Sequence, residues 1–356
     1  MIIYKDNKYR FYEFFNEKNG TLVRSNIIGT KQDADMRSFP ELIDIGIMGH
    51  CMSGEAGICA KSGIDCYQSA VGFKRSNMPI ENYEMILKQC QGKTFQVALG
   101  GAGDPNKHDK FSEILALTRH YGIIPNITTS GFEISSEEIE NIKRYCGAAA
   151  VSYYSRLNEK KEETNPDTLK CIKKILNKNC ITNIHYVIST ETIDEAIYRL
   201  QYDVFPRGIN AIIFILYKPV GLGKVEKKLR WDGKLQHFLD IAIKEKHPYR
   251  VGFDTCFTSA LIHYDNYLST MSIDACEAAK FSMYIDCEMN AYPCSFDNQK
   301  GEYRVSLREN SLVNVWNSII FENFRNNVKS KCERCSKINM CKGGCKLDLD
   351  IELCGK

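Results

Sequence analysis

The stretch from Glu41 to Gln68, ELIDIGIMGHCMSGEAGICAKSGIDCYQ, decides how the rest of the chain is read. Leu42, Ile43, Ile45, Ile47 and Met48 make a short apolar run, rich in β-branched residues, that ends at Gly49-His50. A run of that length bounded by glycine predicts a buried strand rather than a helix. Three thiols follow at Cys51, Cys59 and Cys66, with Gly54, Gly57 and Gly63 between them. The cysteines therefore sit on a pliable loop at the carboxyl end of a strand.

Outward from this stretch the pattern repeats. Strands are predicted at 41–48, 95–100, 122–128, 148–153, 181–188 and 210–217. Helices are predicted between them at about 80–91, 107–121, 135–145, 166–178 and 191–203. Ile193, Ala196, Ile197 and Leu200 give the last of these a single apolar stripe. Six β-α repeats imply a parallel sheet with right-handed crossovers, as an open barrel or a doubly wound sheet. Ligands of such sheets gather at the carboxyl ends of the strands, where the cysteine loop lies. Residues 1–40 alternate around Asn19-Gly20 and predict a hairpin extension leading into the main sheet. Residues 41–250 form the repeating domain, a helix at about 231–245 and a short YRVGF strand close it, and 251–356 form a cysteine-rich region.

The chain has 356 residues and a net charge of +3, too small to imply nucleic acid or a membrane surface as partner. No apolar run approaches the ~20 residues that span a bilayer, and the N-terminus lacks a signal peptide's pattern. A cytoplasmic location is expected. Sixteen cysteines are then anomalous, because reducing conditions disfavour disulfides and point to metal or redox chemistry. Nine of them fall after residue 255.

Three motifs carry that chemistry. Cys51, Cys59 and Cys66 can hold three corners of an iron–sulfur cube and leave the fourth iron open. Packed thiols, or a zinc site completed by His50, are the alternatives. GGAGDP, Gly100 to Pro105, ends the second strand, where bare glycines would let a ligand touch the backbone; a plain turn is the alternative. Cys332, Cys335, Cys341 and Cys345, followed by Cys354, crowd around Lys342-Gly343-Gly344. That spacing suits a zinc knuckle or, with Cys256, Cys276, Cys287 and Cys294 upstream, two four-thiolate clusters. Cys90, Cys146, Cys171 and Cys180 read as packed thiols, and the histidines show no metal spacing.

With these residues in view, the chain resembles the radical S-adenosylmethionine enzymes that carry a SPASM domain. The seven-cysteine pattern is matched by Cys276, Cys294, Cys332, Cys335, Cys341, Cys345 and Cys354, and IDCEMNAYPCSF resembles the strand-turn-strand before its second cysteine, with Met289 where glycine is usual. The resemblance implies a partial (β/α)6 TIM-type barrel followed by a SPASM domain. It implies three [4Fe–4S] clusters, held by Cys51, Cys59 and Cys66, by Cys276, Cys294 and Cys345 with Cys256 as fourth ligand, and by Cys332, Cys335, Cys341 and Cys354. The family's usual C-x3-C-x2-C is absent, and the first triad is an expanded C-x7-C-x6-C version of it. By the same resemblance Tyr67, Gly100, Gly101, Ala102, Ser152, Arg156, Ser189 and Leu216 are expected around S-adenosylmethionine, and Asp297 is a candidate proton acceptor.

The activity implied is one-electron cleavage of S-adenosylmethionine to methionine and a 5′-deoxyadenosyl radical, which takes a hydrogen atom from the substrate. A short ribosomal precursor peptide is the expected substrate, with a thioether or carbon–carbon crosslink, or an oxidised or epimerised residue, as product. Flavodoxin or ferredoxin would supply the electron. Residues 1–40 could add a strand to the peptide. Sulfatase-type maturation is disfavoured by Ser295, where those enzymes carry aspartate. A radical enzyme acting on a small molecule and a zinc-binding scaffold are the other readings.

Overall fold

In the computed structural model the residues described are all except 31–33, 73, 265–267, 269–272, 330–331, 349–352 and 355–356. The apolar run of the quoted stretch forms strand β4, and the main sheet is built to either side of it. Strands β1 (Ile2–Asp6), β2 (Phe11–Phe15) and β3 (Leu22–Asn26) precede it as a separate antiparallel sheet. Then come β4 (Leu42–Ile45), β5 (Gln96–Leu99), β6 (Ile124–Thr129), β7 (Ala149–Ser152), β8 (Thr182–Ile188), β9 (Ala211–Leu216) and β10 (Arg250–Phe253). Last are β11 (Ser282–Ile285), β12 (Asn290–Tyr292) and β13 (Val305–Ser306). Among the described residues the main sheet runs β10-β9-β8-β7-β6-β5-β4-β11-β12-β13, parallel through β11 and antiparallel beyond.

Helices α1 (Ile80–Cys90), α2 (Phe111–His120), α3 (Ser136–Tyr145), α4 (Pro166–Asn177), α5 (Ile193–Gln201) and α6 (Gly233–Lys244) make the crossovers. Their starts are legible in local chemistry. Ser135 and Glu138 form a reciprocal capping box on α3, and Asn165 caps α4 with Pro166 in its first turn. Each strand then divides by the two-residue period. Ile43, Ile45, Val97, Leu99, Ile184, Ile188 and Phe214 are fully buried in the core shared with the helices. The opposite face carries Asp44, Asn126, Ser152 and His185, which are only partly buried and line the concave side.

Two features depart from expectation. The N-terminal extension has three strands rather than a hairpin, because Ile2–Asp6 alternates in the same way as its neighbours and pairs with β2. It caps the amino end of the main sheet. Phe15 stacks on Phe95 with centroids 5.1 Å apart, and the Arg24 guanidinium lies 3.9 Å over Phe281 and 2.5 Å from Glu41. The sheet also runs across the boundary expected near 250, since β10 extends one edge and β11 pairs beside β4. Among the described residues no helix is long and apolar enough to cross a membrane.

Candidate functional site

The cysteine loop leaves the carboxyl end of β4 and winds through two single helical turns, Met52–Glu55 and Ile58–Lys61. Cys51 caps the first turn by accepting the Gly54 N–H at 3.2 Å. Gly57 and Gly63, both at φ +71°, end the turns and bring the chain back. Burial pushes the Cys51 thiol up to about 11, helped by the nearby charges of Asp104 and Cys66. Burial pushes Cys59 up to about 12, with Cys51 and Cys66 adding to it. The three sulfurs are thus electrostatic neighbours. Among the described residues no three Cys, His, Asp or Glu side chains close around a single ion.

GGAGDP lies against this loop. A Cβ on Gly103 would fall 2.3 Å from the His50 carbonyl, and one on Gly101 would meet Tyr284 at 2.9 Å. Those glycines serve close packing, whereas at Gly100 the nearest atom would be Thr128 at 3.9 Å, leaving space. Asp104 ties the rim together. Its buried carboxylate accepts the Ser130 N–H at 2.5 Å and hydroxyl at 2.6 Å, and also the Ser53 hydroxyl from the cysteine loop. Ala102 lines a cavity of about 140 Å³ with Met48, Gln68, Tyr284 and Cys287.

The other residues expected around S-adenosylmethionine are spread along the strand ends. Ser152 closes β7, beside His185 in register. The Ser189 hydroxyl accepts the Glu191 N–H at 3.2 Å in the turn before α5. Arg156 is paired with Glu195 at 2.7 Å and donates to the Glu191 carbonyl at 2.8 Å. Leu216 is buried, and its N–H donates to Asp254 at 3.3 Å. Tyr67 packs against Phe296 with the rings tilted and their centroids 4.8 Å apart. The next residue, Gln68, accepts from Asn298 at 2.6 Å and, through its carbonyl, from Gln299 at 2.8 Å, so the first loop is clamped to the carboxyl-terminal region.

A second group of thiols gathers from four distant segments. Cys256, Cys276, Cys294 and Cys345 feel one another's charge, and burial raises the first three above the ordinary thiol range. Backbone N–H groups of Ala278 and Phe296 point at Cys276 and Cys294, and the Asp348 N–H lies 3.4 Å from the Cys345 sulfur. Such donors favour the thiolate form. The third group is looser. Cys341 is raised by burial, with Cys332 and Cys354 as charged neighbours, and receives the N–H groups of Gly343 and Gly344. Lys342, Gly343 and Gly344 all have positive φ, which folds those donors around the sulfur. Cys335 follows Cys332 in a tight turn, its N–H donating to the Cys332 carbonyl at 3.0 Å.

Cys90 and Cys171 are packed in the core, and Cys146 and Cys180 lie against it. Cys287 sits in the turn after β11. Met289, where glycine is usual, has φ +68°, so the backbone there keeps the left-handed form that favours glycine. Asp297 is buried, and its oxygens accept the N–H groups of Glu302 at 3.1 Å and Tyr303 at 2.9 Å, which holds the turn after Cys294. Sequence reasoning passed over Asp44, whose burial pushes its carboxyl up to about 7, and Lys218, a buried cation at the second thiol group. A charged residue at an inward position of an apolar strand, LIDI, was the available signal for Asp44.

Residues 276–342 match SPASM, the iron–sulfur cluster-binding domain. The SPASM segment thus takes in Cys276, Cys287, Cys294, Cys332, Cys335 and Cys341, with Cys256, Cys345 and Cys354 flanking it. No curated protein matches the chain. Among solved structures it is similar to Streptococcus suis SuiB bound to S-adenosylmethionine, with TM-score 0.67 and 19% identity, over 87% of this chain and 74% of that one. SuiB bound to precursor peptide SuiA gives TM-score 0.68 and 20% identity, over 87% and 72%. Native anSMEcpe with bound AdoMet gives 0.58 and 15%, over 86% and 89%. At these identities the likeness is one of fold: a partial parallel barrel with a SPASM region at its carboxyl-terminal side.

Proposed function

We propose that the chain is a radical S-adenosylmethionine enzyme that modifies a ribosomally made precursor peptide. The observation that carries this reading is the placement of Cys51, Cys59 and Cys66 on one loop after β4, near enough to feel one another's charge and tied to GGAGDP through Asp104. Three thiolates there fit a cluster with one open iron, and the separate group at Cys256, Cys276, Cys294 and Cys345 fits a fully ligated one. Cys332, Cys335, Cys341 and Cys354 would hold a third. A cluster and S-adenosylmethionine held there would supply one-electron hydrogen-abstraction chemistry.

The chain's own residues bind, orient and enclose. Gly100 leaves backbone open to a ligand, Asp104 fixes the cysteine loop against the glycine loop, and Ser152 and His185 line the concave face near the strand ends. Gln68 holds the loop to the SPASM side, and the 140 Å³ cavity opens beside that clamp, with Gln68, Asn298 and Gln299 in its wall. A peptide substrate is supported by the fold shared with a protein solved with its precursor peptide. Electron delivery by a flavodoxin or ferredoxin accompanies the same reading.

The test is anaerobic reconstitution with iron and sulfide, followed by S-adenosylmethionine and dithionite. Methionine and 5′-deoxyadenosine should form in equal amounts, and Cys59→Ala should abolish both. Fully loaded protein that releases no 5′-deoxyadenosine would overturn the reading. Coexpression with a short peptide encoded alongside should give a product with altered hydrogen count by mass spectrometry; turnover without any peptide change would redirect the substrate to a small molecule.

A further inference from the structure

Lys218 follows the end of β9 and is 4% exposed. Its ammonium Nζ lies 2.5 Å from Cys256 Sγ and 3.7 Å from the Phe296 ring centroid. Cys294, Cys345 and Asp254 are its other charged neighbours. A buried ammonium without a matching negative charge is costly. Asp254 offsets part of it, but the groups gathered most closely around the amine are thiols. Four neutral thiols give a cation little, whereas four thiolates around an iron–sulfur core carry net negative charge. The position of Lys218 therefore suits the loaded site.

The contact has a redox consequence. A cluster gains one negative charge when it takes up an electron, and nearby charge and hydrogen bonds to its sulfurs set how readily it does so. In a dry interior the attraction between that added charge and a fixed cation is much stronger than in water. Phe296, over whose ring the ammonium lies, is the same ring that packs against Tyr67 next to Cys66. The cation thus sits on the side of the auxiliary site that faces the first cysteine loop.

We infer that Lys218 raises the reduction potential of the cluster held by Cys256, Cys276, Cys294 and Cys345, acting as a tuning residue rather than a ligand. The inference rests on the reading above, in that it requires a cluster at these cysteines. The electron taken up comes from dithionite in the test and from the reduced donor or product radical in turnover; no bond to Lys218 forms or breaks.

The test is an EPR-monitored dithionite titration of reconstituted Lys218→Met, Lys218→Gln and Lys218→Arg, in a Cys51→Ala/Cys59→Ala/Cys66→Ala background that leaves only the auxiliary clusters. In the Met and Gln variants one of the two signals should shift to lower potential by at least a tenfold change in its oxidised-to-reduced ratio, about 59 mV for one electron. The other signal should stay, and Arg should restore most of the shift. If both neutral variants lose that one cluster while Arg retains it at the parental potential, charge compensation by Lys218 is equally supported. Fully loaded Met or Gln protein with both potentials unmoved, or loss of the cluster from all three variants, overturns the inference. Failure of the parent to load clusters of the [4Fe–4S] type by Mössbauer spectroscopy is a different result, and it removes the cluster reading itself.

Discussion

Tyr217, just past the end of β9, donates its phenol hydrogen to Asp65 at 2.8 Å, one residue before Cys66. The same oxygen accepts the Lys224 N–H at 2.6 Å, and Lys227 pairs with Asp65 at 2.9 Å. The far side of the barrel thereby fixes the last thiol of the first loop. Tyr217→Phe should lose about 1.5–3 kcal/mol, as expected for a hydrogen bond to a charged acceptor. It should also slow formation of 5′-deoxyadenosine several-fold while leaving the auxiliary cluster signals unchanged. Thermal unfolding and product assays on one preparation check both.

Gly221 presses on the same place from outside. At φ +66° its missing Cβ would fall 2.4 Å from the Tyr67 carbonyl and 2.7 Å from that of Cys66. Gly221→Ala is expected to displace the loop and lose the first cluster selectively. Iron should fall by roughly four per chain, with the auxiliary EPR signals retained.

Asp44 gives a pH dependence whose sign follows from burial. Its carboxyl is pushed from an ordinary 3.8 up to about 7, so between these values the folded chain keeps a proton that the unfolded chain has released. Its contribution is fully present below about pH 4 and is lost as the pH rises through about 7. Asp44→Asn, neutral throughout, should become more stable relative to the parent as pH is raised from 5.5 to 7.5. Melting temperatures of both proteins across that range measure it.

Arg199 is fully buried and bound on all sides. It meets Glu163 through two nitrogens at 2.7 and 2.9 Å and Glu195 through Nε at 2.8 Å. Arg199→Met leaves Glu163 without its cation, while Glu195 keeps Arg156, and should cost about 3–5 kcal/mol. Denaturant unfolding reads the loss directly, and a double change with Glu163→Gln should recover part of it.

The strands of the barrel were legible because each is a short β-branched run bounded by glycine or a cap, and their boundaries lie within a few residues of those expected. The extra strands β10 and β11 were harder to place. Arg250–Phe253 was visible as a strand, but its pairing partner depends on sheet order, which local pattern does not encode. At the site, the crowding of Cys332, Cys335, Cys341 and Cys345 along the chain is plain in their spacing, whereas the position of Cys345 beside Cys256, Cys276 and Cys294 is not. Nor is the meeting of Lys218 with Cys256 and Phe296, since the three belong to segments that only the crossovers bring together. Asp297 shows the limit of analogy by position: its surroundings reveal a carboxylate busy with two backbone amides.

The four cysteines of the Lys218 site come from four strips of chain between residues 256 and 345. If one inorganic knot ties all four, the carboxyl-terminal third is stapled shut only after metallation, because binding energy at such a site is also folding energy. Iron supply then governs how long the protein survives as well as what it can do. In starved cells proteases would nick the newly made polypeptide first in its final hundred or so residues.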